Sequence, residues 1–465
     1  ANSSPMSSLS ETRRPHRYSH ADMKTVLLSL IASLAAAHAA DWPNWRGPQF
    51  DGSSTETSLP DRADPATALW KASMPGPAAS SPVVARGRVF ITTTNEKEKS
   101  LVGICYDAVT GKELWSRTIG SGFSADERSN YANPSPATDG STVIFHFATG
   151  DTAAFDFEGK ELWKRNMQKD YGTYAIQWTP ATSPVITDGM TIFQVLQRDS
   201  AFDFGGQQKG NPDGPNDSYV LAVETATGKE IWKALRPSDA IAESRESFST
   251  PMPWTWNGKR ELLVTGGDCL SGHDLKTGAE LWRTPSWNPE KIGHWRLVPG
   301  PVAGDGIILA CAPKRAPVYA IKAGGSGLLA EKDYAWVSGS DAGTEDVSSD
   351  VSTPLFYKGR FYVVNSDRKS VCCVEPASGK LLWEHRIEGG AKIESSPAAG
   401  AGKIYFQDMR AGLTIMEAGD QPKVVFSGSM GEGAEQKDVR SSVALADGRL
   451  YIRTATHLYC IGAKP

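Results

Sequence analysis

Short apolar runs separated by tight turns recur from Ser80 to the end of the chain. "SSPVVARGRVFIT" (80–92) places Ser-Pro ahead of an apolar run, a turn at Arg86-Gly87 and a second apolar run. The same order returns in "PSPATDGSTVIFH", "TSPVITDGMTIFQV", "STPMPWTWNGKRELLV", "STPLFYKGRFYVV" and "SSPAAGAGKIYF", with divergent copies in "PGPVAGDGIILA" and "SSVALADGRLYI". Runs of this length with period-2 alternation, bounded by glycine turns, predict strands. Proline at a first strand position costs no ladder hydrogen bond.

A second motif alternates with the first. "AVTGKELW" (108–115) recurs as "FEGKELW" (157–163), "TATGKEIW" (225–232), "LKTGAELW" (275–282) and "PASGKLLW" (376–383). Degenerate copies end at Trp336 and Phe426, and Trp70 in "ATALW" has the ending without the turn. Each unit therefore predicts four strands: one from Ser-Pro, one after the first turn, one ending in Asp or Glu, and one carrying the tryptophan. A four-stranded sheet cannot bury both faces alone, so the units must stack, and radial stacking is a β-propeller. The fold expected is all-β with eight blades, seven being the alternative because the segment 323–336 is degenerate. Trp70, Trp115, Trp163, Trp232, Trp282, Trp336 and Trp383 recur with the repeat and read as docking residues between blades. The last unit has three strands and no tryptophan ending, so the "ATALWKA" strand is expected to complete it and close the ring.

The "D-A-x-T-G-K-E-L-W" repeat resembles the quinoprotein-type (PQQ-like) β-propeller repeat. The opening "DWPNWRGPQFDG" and the ending "DGRLYIRTATHLYCIG" are similar to a secreted bacterial subgroup related to the propeller lipoprotein of the outer-membrane barrel assembly machine. One branch that the resemblance implies is quinoprotein alcohol dehydrogenases, which hold pyrroloquinoline quinone and calcium at the axis above a vicinal disulfide. The other is the assembly lipoprotein, which has no cofactor and binds protein partners.

The adjacent Cys372 and Cys373 bear on that choice. Counting back two residues from the acidic turn residues places Cys105, Ala222, Gly272 and Cys373 in register, with Ala320 and Cys460 at the matching position. The position wants a small residue, as expected if a neighbouring blade packs closely over it, and cysteine serves there as a small hydrophobe. Successive strand residues point to opposite faces, which opposes a Cys372–Cys373 ring.

Composition narrows the class further. The 465 residues carry a net charge of −4, so no basic footprint suggests nucleic acid. "MKTVLLSLIASLAAAHA" (23–39) has the n-region, apolar core and small-residue end of a secretory signal. Residues 1–22 read as a polar extension or a misassigned start, and 40–465 as the propeller. A cleaved product without a lipid anchor, soluble in the periplasm or outside the cell, is the expectation; no cysteine precedes Cys105. No membrane span is expected, and a monomer is.

The connections between one unit's last strand and the next unit's first are long and polar, and in a propeller they cross one face near the axis. A ligand set drawn from them comprises Arg128, Tyr131, Gln177, Trp178, Arg245, Glu246, His294, Trp295, Arg296, Asp346, Asp350, Glu394 and Arg440. Among tryptophans outside the repeat, Trp178, Trp254, Trp256, Trp287 and Trp295 are free to serve a ligand. "DFGGQQKGNPDGPND" (203–217) lacks full calcium-loop spacing and reads as a long hairpin insert. H-E-x-x-H, C-x-x-C and G-x-S-x-G are absent. A binding or protein-interaction scaffold with a protein or polymer partner and no cofactor is the first expectation. A dehydrogenase with quinone and calcium at the axis is the alternative, and glycan or other small-ligand binding is the third.

Overall fold

A computed structural model describes Ala1 and residues 41–124, 126, 129–205, 208–339, 347–431 and 438–463. The chain divides into the units Ala1–Ala39 and Ala40–Pro465, and the fold described is that of the second. The extension beyond Ala1, at 2–22, and the signal segment at 23–39 lie outside the described residues.

The Ser-Pro and tryptophan motifs build eight sheets with strands a to d. Blade 1 comprises Val83–Ala85, Arg88–Asn95, Ser100–Asp107 and Glu113–Ser121. Blades 2 to 7 follow at 137–166, 185–235, 252–283, 302–337, 355–386 and 398–429. Blade 8 joins Ala444–Ala446, Arg449–Arg453 and His457–Ile461 to the N-terminal Trp70–Ser73, which pairs Trp70 with Cys460 and Ser73 with His457. Eight blades and the expected closure are both present. Strands b and c are buried along their length because sheets cover both faces; outer strands such as Glu113–Ser121 alternate between buried and exposed.

The tryptophan motif works in two steps. The acidic turn residue caps the turn: Asp107 Oδ1 accepts from the Val109 and Thr110 amides and the Thr110 hydroxyl. The glycine after it, Gly111 at φ +70°, lies under the ring of Trp70 from the preceding blade, and a Cβ there would sit 2.5 Å from the indole. Gly228 under Trp163 repeats this at 2.6 Å. The indole N–H then donates into the same turn: Trp70 to Ala108 O at 3.0 Å, Trp115 to Phe157 O at 2.9 Å and Trp163 to Thr225 O at 2.8 Å. Blade 5 has no such turn, and Trp282 of blade 4 donates instead to Glu261 Oε2 of its own blade.

The small register position faces the neighbouring blade, as expected: Cys105 packs with blade 2 residues and Cys373 with blade 7 residues. Cys105, Ala222, Gly272, Cys373 and Ala320 each pair directly with the tryptophan of their own blade. A Cβ on Gly272 would also collide with the Trp282 indole, so in blade 4 the blade's own ring adds a size limit. Cys372 and Cys373 pack into different cores, Cys372 with blade 5 residues and Cys373 with blade 7 residues. Neither is in a disulfide. Burial pushes the Cys373 thiol up to about 12.

The insert also departs from expectation. Its strand Gln208–Lys209 pairs with Ala175–Ile176 of a blade connection instead of forming a hairpin with itself.

Candidate functional site at the propeller axis

Ser/Thr-Pro has a second role. The first hydroxyl of the pair ties strand a to the blade's own strand b: Ser80 to Thr92 O, Ser249 to Thr265 O, Ser395 to Gln407 O and Ser441 to Arg453 O, all within 2.9 Å. The second hydroxyl accepts an amide from the preceding blade. Ser81 N donates to Ser135, Ser135 N to Ser183 and Ser183 N to Thr250. After a break at Gly300, which has no hydroxyl, Gly300 N donates to Thr353, Thr353 N to Ser396, Ser396 N to Ser442 and Ser442 N to Ser81. Seven hydroxyls thus circle the axis, each accepting a backbone amide at 2.8–3.1 Å. Among the described residues none of the seven donates its own proton to a protein acceptor.

The N-terminal segment runs through the centre of the ring. Trp42 exchanges both backbone bonds with Val84 of blade 1, and Pro43 O accepts from Thr138 of blade 2. Arg46, fully buried, reaches the opposite blades, donating to Pro354 O at 2.6 Å and Pro397 O at 2.8 Å. Gly52 and Ser54 bond both sides of Ala399 in blade 7. Burial lowers the Arg46 guanidinium to about 10 despite the nearby Asp51. Carbonyl oxygens accept its hydrogen bonds, so it ties distant blades together.

Above this plug a cavity of about 440 Å³ opens, within the range of small-molecule sites. Trp45 and six ring residues (Ser81, Ser135, Ser183, Thr250, Thr353 and Ser396) line it with the blade connections. Two charged groups face each other across it. In the first, Glu243 Oε1 accepts from Trp178 Nε1 at 3.1 Å and lies 3.4 Å from Arg296 Nε. In the second, Glu394 bridges Arg440 at 2.6 Å and Lys392 at 3.2 Å. Burial alone would raise the Glu394 carboxyl, but Arg440 and Lys392 outweigh it and hold it below its ordinary range. A further cation comes from the b–c hairpin of blade 5, where Lys314 and Arg315 both adopt left-handed φ, 57° and 65°. Such geometry costs a non-glycine residue roughly 1–2 kcal/mol, and here it sets Lys314 at the cavity with its amide on Asp350 Oδ1. Among the described residues four cations and three carboxylates line the space.

Of the ligand set expected from sequence, Trp178, Arg296, Asp350, Glu394 and Arg440 meet at this cavity. Arg128 and Asp346 lie outside the described residues. The other six do not line it. Tyr131 packs in the core between blades 1 and 2. Glu246 is buried against Arg198 at 2.6 Å, and Arg198 also donates to Gln177. Burial pushes the Glu246 carboxyl up to about 7 against the pull of Arg198. Arg245 pairs with Asp199, and Trp295 joins the core beside blades 4 and 5. His294 belongs to the same connection.

Among the non-repeat tryptophans only Trp178 of the five expected faces the cavity. Trp254 and Trp256 stack on each other in strand a of blade 4, and Trp287 stacks on Tyr319. Sequence reasoning missed Trp45, Asn133, Glu243, Lys314 and Lys392. Glu243 and Lys392 sit in connections already singled out by their mixed charge. Lys314 lies on a b–c turn, which antiparallel order returns to the same face as the d–a connections.

A family model described as "Outer membrane protein assembly factor BamB" matches residues 62–211 and 269–464. The chain belongs to this family. It is 22% identical over 227 residues to outer membrane protein assembly factor BamB of Burkholderia pseudomallei, a match covering 48% of this chain and 47% of that one. The chain thus spans about half the length of that curated relative. Among solved structures it is similar to BamB from Moraxella catarrhalis, with TM-score 0.57 and 12% identity over 86% of this chain and 98% of that one. It is also similar to quinohemoprotein alcohol dehydrogenase from Comamonas testosteroni, with TM-score 0.59 and 14% identity over 92% and 81%. At these identities the two structures share the fold.

The dehydrogenase neighbour raises the question of quinone and calcium. Cations at the mouth suit quinone carboxylates. The three cavity carboxylates, however, are engaged by Trp178 and Arg296, by Lys392 and Arg440, and by the Lys314 amide. No group of three His, Cys, Asp or Glu among the described residues is placed to hold a metal. Cys372 and Cys373 lie inside the blade stack, away from the cavity floor, which is Trp45 and hydroxyls. The residues present do not fit the calcium-quinone pair.

Proposed function

We propose that this propeller is a cell-envelope binding and protein-interaction scaffold that performs no redox chemistry. The observation that carries the reading is the axis itself. The chain's own segment 41–56 fills it, and the carboxylates walling the cavity above are already engaged, two by cations and one by a backbone amide. The family description, an outer membrane assembly factor, supports an envelope role, and the secretory pattern at 23–39 supports export. No helix among the described residues is long and apolar enough to cross a membrane.

Photo-crosslinking tests the reading. A crosslinker at the exposed Arg315 on the cavity face should give adducts with outer-membrane proteins or their assembly components in intact cells, competed by unlabelled propeller. The same crosslinker at Glu113 on an outer strand serves as the control. Adducts absent from the cavity face, or equal at both positions, would overturn it.

A further inference from the structure

We infer that the axial cavity is a metal-independent site for an acidic carbohydrate, a mono- or disaccharide bearing a carboxylate. This goes beyond the scaffold reading and stands on the cavity's own chemistry. Its floor carries hydroxyls that each accept a backbone amide and keep a proton to give, so it presents donors in excess. A donor-rich floor selects an acceptor-rich ligand.

The charge points the same way. Cations exceed carboxylates at the walls, and the Lys314 ammonium has no ion-pair partner among the described residues. A carboxylate near Lys314 would complete the balance.

The remaining walls suit a sugar ring better than a purely aromatic acid. Trp178 offers a flat apolar surface, fixed by its own N–H on Glu243. Asn133, 7% exposed and lining the cavity, has an amide oxygen with no partner. It can accept from a ligand hydroxyl, as can the second oxygen of Glu243. Polyols supply both donors and acceptors, so they satisfy these groups together with the floor. The volume of about 440 Å³ admits one or two sugar rings.

Titration calorimetry of the folded propeller in EDTA, with digalacturonate, glucuronate and glucose as probes, tests this. Digalacturonate or glucuronate should bind at least tenfold more tightly than glucose and raise the melting temperature. Lys314→Ala, at an exposed side chain, should weaken uronate binding about fivefold with the melting temperature of the free protein unchanged. Asn133→Ala should weaken both sugars alike. Equal affinity for glucose, loss of binding in EDTA, no uronate heat up to millimolar concentration, or unchanged affinity in Lys314→Ala would each overturn the proposal. Crosslinking of a protein partner is read separately: capture without uronate binding defeats only this site, and uronate binding without capture defeats only the scaffold.

Discussion

The circumference and the axial mouth of this molecule are built from the same eight units under opposite rules. Around the circumference four blade boundaries repeat one joint, a tryptophan lying on the next blade's glycine and donating into its turn. At the mouth no two connections match: one contributes Trp178, another Glu243, another the Lys392–Glu394 pair. Repetition marks what holds the ring together, and divergence marks what the ring presents.

The sharpest way to break that contrast is to cut one joint. Trp163→Ala removes a buried indole, its bond to Thr225 O and its cover over Gly228. A loss of about 3–5 kcal/mol is expected from large-to-small core changes, read as a fall in the denaturant midpoint. Trp178→Ala at the mouth should change the midpoint far less.

The closure between blades 8 and 1 should be nearly as sensitive. Arg453 is fully buried and donates across it to Ser80 Oγ, Thr92 O, Gly76 O and Thr93 Oγ1. Burial lowers this guanidinium to about 9, with no carboxylate to offset it. Arg453→Met removes all four bonds across the closure, and a cost of about 3 kcal/mol is expected. Hydrogen exchange should show the lost protection concentrated in 70–95 and 444–461.

Much of the circumference was legible from sequence because its interactions repeat at a fixed offset. Each copy of T-G-K-x-x-W confirms the others, and the missing ending of the last unit disclosed the closure strand. The axis was opaque for the opposite reason. "DWPNWRGPQF" has no alternation and no sibling, and its bonds go to strands as far away as Pro397. Lys314 was hidden by topology, since only alternating strand direction shows that a b–c turn shares a face with the d–a connections. The small register position and the neighbouring blade over it were both legible, whereas the added limit at Gly272 from its own Trp282 depends on cross-strand pairing.

Acid should weaken the blade interiors before the mouth. Burial pushes His273 down to about 4, helped by Arg236, and His146 down to about 3. An unfolded histidine titrates near 6.5. Below that pH the unfolded chain binds protons that the folded chain refuses, so stability falls as pH drops from about 6.5 toward 4. His273→Gln should remove about 1.4 kcal/mol per pH unit from that slope, read from denaturant midpoints across the window. An unchanged slope would place the acid sensitivity elsewhere.

The smallest effect belongs to the mouth. Trp178→Ala should shift stability by about 1 kcal/mol or less, because the indole is half-buried and bonds only Glu243. A loss as large as that of Trp163→Ala would erase the distinction between joint and mouth.

Reconstitution with pyrroloquinoline quinone and calcium tests the central claim, a binding scaffold in place of a dehydrogenase, most directly. The plugged axis and paired carboxylates lead us to expect no calcium-dependent rise in melting temperature and no dye-linked alcohol oxidation at saturating cofactor. A calcium-dependent quinone absorbance together with alcohol oxidation would contradict the account.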